Sequence, residues 1–138
     1  MAGQIVQLET RPPLFRRVVY GYSGYLVPRA DGRIVMGSTL EDRGFDKAVT
    51  AEGLHRITGM AMEMVPGLAG ARMIDCWAGL RPAAEDNAPL LGAGPYEGLY
   101  FAAGHYRNGI LLTPITGEVI CDLVLGREPA VDVSSFAP

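Results

Sequence analysis

From position 110 to 125 almost every residue is apolar, whichever face of a helix it would occupy: Ile110, Leu111, Leu112, Ile115, Val119, Ile120, Cys121, Leu123, Val124 and Leu125. A helix that is apolar all round has no solvent face, so this stretch predicts a buried C-terminal helix. Gly126 is placed to end it in the left-handed conformation, and Arg127 and Pro129 follow as a stop. Pro114 suits only the first turn, where no intrahelical N–H is lost, which sets the helix start within 108–112. Just upstream, Leu99, Tyr100, Phe101, Ala102 and Ala103 form a short apolar run that reads as a buried strand. Between strand and helix, Gly104 and Gly109 bracket His105, Tyr106, Arg107 and Asn108. The free N–H groups of the first helical turn point into this bracket and favour an anionic or carbonyl-rich ligand.

The remaining elements must supply what this helix packs on. Residues 4–9 alternate in part and read as a strand, ended by Arg11-Pro12-Pro13. Residues 18–22 give a second strand. Tyr25-Leu26-Val27-Pro28 and Arg33-Ile34-Val35-Met36-Gly37 flank Asp31-Gly32, the strongest short hairpin signal in the chain. After a charged connection over 41–49, Thr50 offers an N-cap to a helix whose Leu54, Ile57, Ala61 and Met64 share one stripe. Pro66-Gly67 ends that helix, residues 72–80 form the next strand, and Leu90-Leu91 follow a loop over 81–89. Several strands with hairpin links and two helices predict an α+β fold. Its sheet is antiparallel or mixed, with an amphipathic helix on one face.

The chain has 138 residues, the length of one domain or a piece of one. Its net charge of −3 and lack of basic runs beyond Arg16-Arg17 argue against nucleic acid as a partner. No apolar run is as long as a membrane span, and no signal peptide is legible at the N-terminus. Cytoplasm is therefore the expected location. Cys76 and Cys121 lie in apolar elements without metal-ligand spacing and read as two buried thiols. With only two histidines, His55 and His105, a protein metal site is not expected. No nucleophilic triad can be assembled. Gly92-Ala93-Gly94 imitates the start of a dinucleotide fingerprint, but Pro95 follows and no strand–helix unit surrounds it, so it is rejected.

Taken residue by residue, the polar candidates each have a plain reading. Arg81 can hold a carboxylate through two parallel hydrogen bonds, or it can be a strand-end arginine paired with Glu85 or Asp86. Tyr25 can be an aromatic strand residue packed in a sheet, Arg107 a solvent-facing turn residue, and Leu40 a core residue. His105 offers an imidazole that could act as a base, yet a lone histidine in a turn is more often a packing or hydrogen-bonding residue.

Two stretches in order, Trp77-Ala78-Gly79-Leu80-Arg81-Pro82 and Gly104-His105-Tyr106-Arg107-Asn108-Gly109-Ile110-Leu111-Leu112, resemble the C-terminal half of glycine-oxidising members of the D-amino-acid-oxidase family of FAD-dependent amine oxidases. The resemblance runs from about Gly3 to the tail. It implies that this is the substrate-binding part of that fold, with the family's N-terminal dinucleotide-binding half outside the 138 residues. It also implies that Arg81 holds the substrate carboxylate and that Tyr25 and Arg107 lie beside the flavin as further substrate-binding residues, the Tyr25 hydroxyl being able to donate to the same carboxylate. Leu40 would line the side-chain pocket. His105, Tyr106, Arg107, Asn108, Gly109, Ile110 and Leu111 would cover the ring end of FAD. No residue of the chain is assigned a catalytic proton.

The activity so implied is oxidative deamination of glycine or a small amino acid to the imine and 2-oxo acid, with hydrogen peroxide formed. Such an activity can serve thiamine biosynthesis. Sarcosine oxidase or a D-amino-acid dehydrogenase is the near alternative, and a non-catalytic binding module the distant one. The 138 residues alone are expected to be inactive and to self-associate through the face left for the dinucleotide-binding half. One departure stands out: where the family often has Thr-Pro-Asp after the arginine-proline pair, this chain has Ala84-Glu85-Asp86.

Overall fold

A computed structural model describes residues 1–138. Length alone suggested one domain or a piece of one. The chain divides into two compact units, Met1–Leu80 and Arg81–Pro138.

The first unit is a five-stranded antiparallel sheet with a helix on one face. Its strands are β1 (Ala2–Glu9), β2 (Val19–Gly21), β3 (Gly24–Pro28), β4 (Arg33–Gly37) and β5 (Arg72–Leu80), ordered β2-β3-β4-β1-β5. The Asp31-Gly32 hairpin forms as expected. Gly32 takes a φ of +89°, open to glycine without steric cost, and Arg29 donates its N–H to the Arg33 carbonyl at 2.7 Å. Alternation sorts the faces. Val6 lies opposite Met36 and Cys76, and Leu8 opposite Ile34, so these side chains share one face. Helix α1 (Ala51–Met64) lays Ile57, Met60 and Ala61 on that face and completes the core with Leu26 and Leu68. Thr50 caps α1 as predicted, its hydroxyl accepting from the Gly53 N–H at 3.1 Å. A bulge between Gln7 and Leu8 shifts the β1–β5 register.

The second unit pairs a two-stranded antiparallel sheet, β6 (Leu90–Ala93) and β7 (Tyr100–Ala103), with helix α2 (Gly109–Val124). The C-terminal tail crosses β6, where a Cβ on Gly92 would lie 3.3 Å from Cδ of Pro138. The helix ends in the predicted glycine cap. Gly126 has φ +68°, its N–H donates to the Leu123 carbonyl, and the Arg127 N–H donates to that of Asp122 at 2.8 Å. These two bonds make a Schellman motif.

Two expectations about α2 need correction. It is not buried within these residues: Val119 is 2% exposed, whereas Ile110 and Leu111 are 94% and 78% exposed. A two-stranded sheet can cover one stripe of a 16-residue helix, and no other element of this unit covers the rest. Nor does Pro114 sit in the first turn. The helix begins at Gly109, so the proline lies in the second turn, and the Ile110 carbonyl that loses its intrahelical donor belongs to an exposed residue. The thiols are free, as read, but they are not buried: Cys76 is half-buried and Cys121 is exposed. No helix is long and apolar enough to cross a membrane.

Candidate functional site

The first unit carries Tyr25 and Leu40. Register places Tyr25, Gly37, Ile5 and Trp77 in one row across β3, β4, β1 and β5. The row alternates with the buried residues, so it lies on the sheet face away from α1. A Cβ on Gly37 would meet Ile5 Cδ1 at 2.6 Å and the Tyr25 hydroxyl oxygen at 3.5 Å, so the absent side chain gives the tyrosine its place.

Leu40 sits between two residues fastened to Gln4. The Gln4 N–H donates to the Thr39 hydroxyl at 2.8 Å, and Gln4 Nε2 donates to Glu41 Oε1 at 2.8 Å. Backbone bonds between Ala2 and Glu41 complete the fastening. Gln4 itself is 1% exposed, and its Nε2 also donates to the Thr50 hydroxyl while its Oε1 accepts from the Thr50 N–H. A buried amide so fully satisfied fixes the 39–41 segment and the N-terminus of α1 together. The Thr39 hydroxyl, and secondarily Gln4 and Arg43, hold the Glu41 carboxyl below its ordinary range against the opposing effect of burial. Within this framework the Leu40 side chain is left 50% exposed, outside the core of the unit.

The second unit carries Arg81, Arg107 and the glycine-bracketed turn. Here two separate sequence stretches are joined. The Tyr106 N–H donates to the Pro82 carbonyl at 2.8 Å, and Ala83 and His105 form an antiparallel bridge. Arg81 therefore precedes a residue that is hydrogen-bonded directly to the turn. The turn adopts two successive departures from right-handed backbone, Gly104 at φ +75° and Tyr106 at φ +50°. The second is uncommon for a non-glycine residue and requires local support. The Asn108 N–H donates to the His105 carbonyl at 2.9 Å, and His105 Nε2 shares a 2.9 Å hydrogen bond with the Thr116 hydroxyl. Arg107 is exposed.

Asn108 caps α2 without a side-chain hydrogen bond. The N–H groups of Gly109, Ile110 and Leu111 therefore face outward, beside two exposed apolar side chains. That combination fits the ring end of a flavin, which is flat and apolar with carbonyls along one edge. The ADP end finds no counterpart in these residues: all hydrogen-bonded strand pairs are antiparallel, and the one strand–helix–strand crossover, β4–α1–β5, enters its helix through the long charged segment 38–50 rather than a tight glycine turn.

Residues 1–123 match the family described as FAD dependent oxidoreductase, DAO. The chain belongs to this family. Over 137 residues it is 39% identical to glycine oxidase from Pseudomonas putida, covering 99% of this chain and 38% of that protein. It is 41% identical over 141 residues to the bifunctional protein ThiO/ThiG of Synechocystis, covering 99% and 22%. Among solved structures, glycine oxidase from Geobacillus kaustophilus superposes with a TM-score of 0.90 at 38% identity, covering 99% of this chain and 37% of that one. Iminodiacetate oxidase from Chelativorans superposes with a TM-score of 0.88 at 32% identity, over 99% and 38%. The chain thus spans well under half the length of these FAD dependent oxidoreductase relatives.

Sequence reasoning missed three features of this member of the family. Pro82 and Tyr106 are joined through backbone atoms, which no residue type announces. Gln4 is a polar residue on the core side of a strand, and its alternation with Val6 and Leu8 was the available signal. Thr116 falls on the half-buried stripe of α2 with Leu112, Ile115 and Val119, where a lone hydroxyl calls for a partner.

Proposed function

We propose that this chain is the C-terminal, substrate-binding and flavin-covering part of an FAD-dependent oxidase that deaminates glycine or a small amino acid. The observation that carries this reading is the hydrogen bond from Tyr106 to Pro82, because it fastens the segment after Arg81 to the turn over 104–109. Substrate carboxylate and cofactor ring would then be gripped by one connected piece of chain. FAD, held by residues 105–111, would supply the redox chemistry of amino-acid oxidation.

The chain's own residues bind and orient. The N–H groups of Gly109, Ile110 and Leu111, with His105, Tyr106, Arg107 and Asn108, would hold the ring end of the cofactor. Arg81 fixes both carboxylate oxygens and so directs the α-carbon; the Tyr25 hydroxyl donates to the same carboxylate. Leu40 limits the space for a side chain. The likeness to a ThiO/ThiG protein supports thiamine biosynthesis as the setting. The likeness to iminodiacetate oxidase supports secondary amino acids such as sarcosine as the second substrate class.

The dinucleotide-binding half lies outside these residues in this reading. The 138 residues alone are then inactive, hold FAD weakly, and self-associate through the exposed apolar face of α2. The decisive experiment is Arg81→Ala in the holoenzyme. Each charge-assisted bond is worth roughly 1.5–3 kcal/mol, so kcat/KM for glycine should fall at least tenfold while flavin absorbance is retained. Unchanged kinetics would overturn the assignment.

A further inference from the structure

We propose that Thr116 is a positioning residue for the substrate carboxylate, acting through His105 and the turn rather than by contact. The inference rests on the reading of Arg81 given above. A connected set of contacts leads from the helix to the arginine. The Thr116 hydroxyl shares a 2.9 Å hydrogen bond with His105 Nε2. His105 is bridged to Ala83 by its backbone, and its carbonyl accepts from Asn108 at the start of α2. The next residue, Tyr106, holds the Pro82 carbonyl at 2.8 Å, and Pro82 directly follows Arg81.

The turn needs such an anchor. It carries a left-handed tyrosine between a left-handed glycine and the helix start, a conformation that persists only where surrounding contacts over-determine it. Thr116 lies two helical turns beyond Gly109 on the same face and is half-buried beside the stripe that carries Val119, so its hydroxyl ties the turn to the packed side of α2. The segment after Arg81 is joined to the turn at Pro82 and at Ala83. Without the Thr116 hydroxyl, the imidazole loses its fixed orientation, the Tyr106–Pro82 bond opens more often, and the guanidinium spends less time aligned for two-point binding.

The test uses the holoenzyme and its Thr116→Val, Thr116→Ser and Arg81→Ala variants. Two quantities are read: the dissociation constant of acetate, a carboxylate that cannot be oxidised, from the flavin difference spectrum, and hydrogen exchange at the Tyr106 amide. Thr116→Val should weaken acetate roughly 2- to 12-fold, the factor set by one net hydrogen bond. It should also speed exchange at Tyr106 and raise KM for glycine more than it lowers kcat, with flavin content unchanged. Thr116→Ser keeps the hydroxyl and should restore all three. If Arg81→Ala weakens acetate but Thr116→Val leaves acetate and exchange as in the parent, the inference fails while the reading of Arg81 stands. If Arg81→Ala itself leaves acetate binding unchanged, the reading of the site fails first. Loss of binding in both Thr116 variants alike would assign the residue a packing role and overturn the proposal.

Discussion

Gln4 and Thr50 hold each other through two hydrogen bonds. The Thr50 N–H donates to Gln4 Oε1 at 2.9 Å, and Gln4 Nε2 donates to the Thr50 hydroxyl at 3.1 Å. The pair locks the first strand of the sheet to the start of α1, and Gly53 lies against it. A Cβ at position 53 would overlap the Gln4 carboxamide.

Gly53→Ala therefore sets two effects against each other. Alanine gains about 1 kcal/mol of helix propensity over glycine. Against that, the amide cannot swing aside without breaking its bonds to Thr50 and Glu41 inside the core, and overpacking of this kind costs about 1–3 kcal/mol. The steric term wins, so urea unfolding should show a net loss of stability. A stabilised variant would mean that Gln4 is freer than its bonds indicate.

The depressed Glu41 carboxyl makes stability depend on acid pH. Its folded value lies below the ordinary 4.5, chiefly through the Thr39 hydroxyl. Its contribution is therefore complete above that ordinary value and disappears as pH falls through the lower folded one. Unfolding free energy measured from about pH 6 down to about pH 3 should fall less steeply in Glu41→Gln than in the parent chain. Parallel curves would show that Thr39 and Gln4 do not favour the ionised form.

Tyr25→Phe tests the row across the open face of the sheet. Removing a hydroxyl that donates to a carboxylate costs about 1.5–3 kcal/mol, and the loss falls on binding when the group takes no part in chemistry. In the holoenzyme KM for glycine should rise about tenfold or more with a smaller change in kcat. A collapse of kcat at constant KM would place the hydroxyl in the chemical step instead.

The exposed start of α2 should make the separate 138-residue chain sticky. Ile110 and Leu111 stand next to each other in solvent, and Val124 and Leu125 are exposed at the other end. Sedimentation velocity should show concentration-dependent association that the double variant Ile110→Lys, Leu111→Lys reduces. A monomer at all concentrations would remove that face from consideration.

What the sequence made legible follows local rules. The Asp31-Gly32 hairpin, the Thr50 cap, the stripe of α1 and the Gly126 cap each depend on a few neighbouring residues, and each formed as read. The burial of α2 was misread because all-round apolar character states that a helix wants cover, not which residues supply it. The hydrogen bonds that organise the site were illegible for a related reason. Pro82 and Tyr106 meet through main-chain atoms 24 positions apart, and a backbone carbonyl carries no mark in the sequence. Family likeness singles out the arginine and the turn as candidates; their connection lies in the fold of the main chain.

The two ends of α2 are finished differently. At the C-terminus, Gly126 and Arg127 return the last carbonyls to the chain, and the Arg127 guanidinium grips Asp122 at 2.8 Å. At the N-terminus, Asn108 gives no side-chain cap and three amides stand open. The first turn of α2 therefore lacks the closure that its last turn has. An occupant of those amides would act as the missing cap, so it would favour the wound form of the first helical turn.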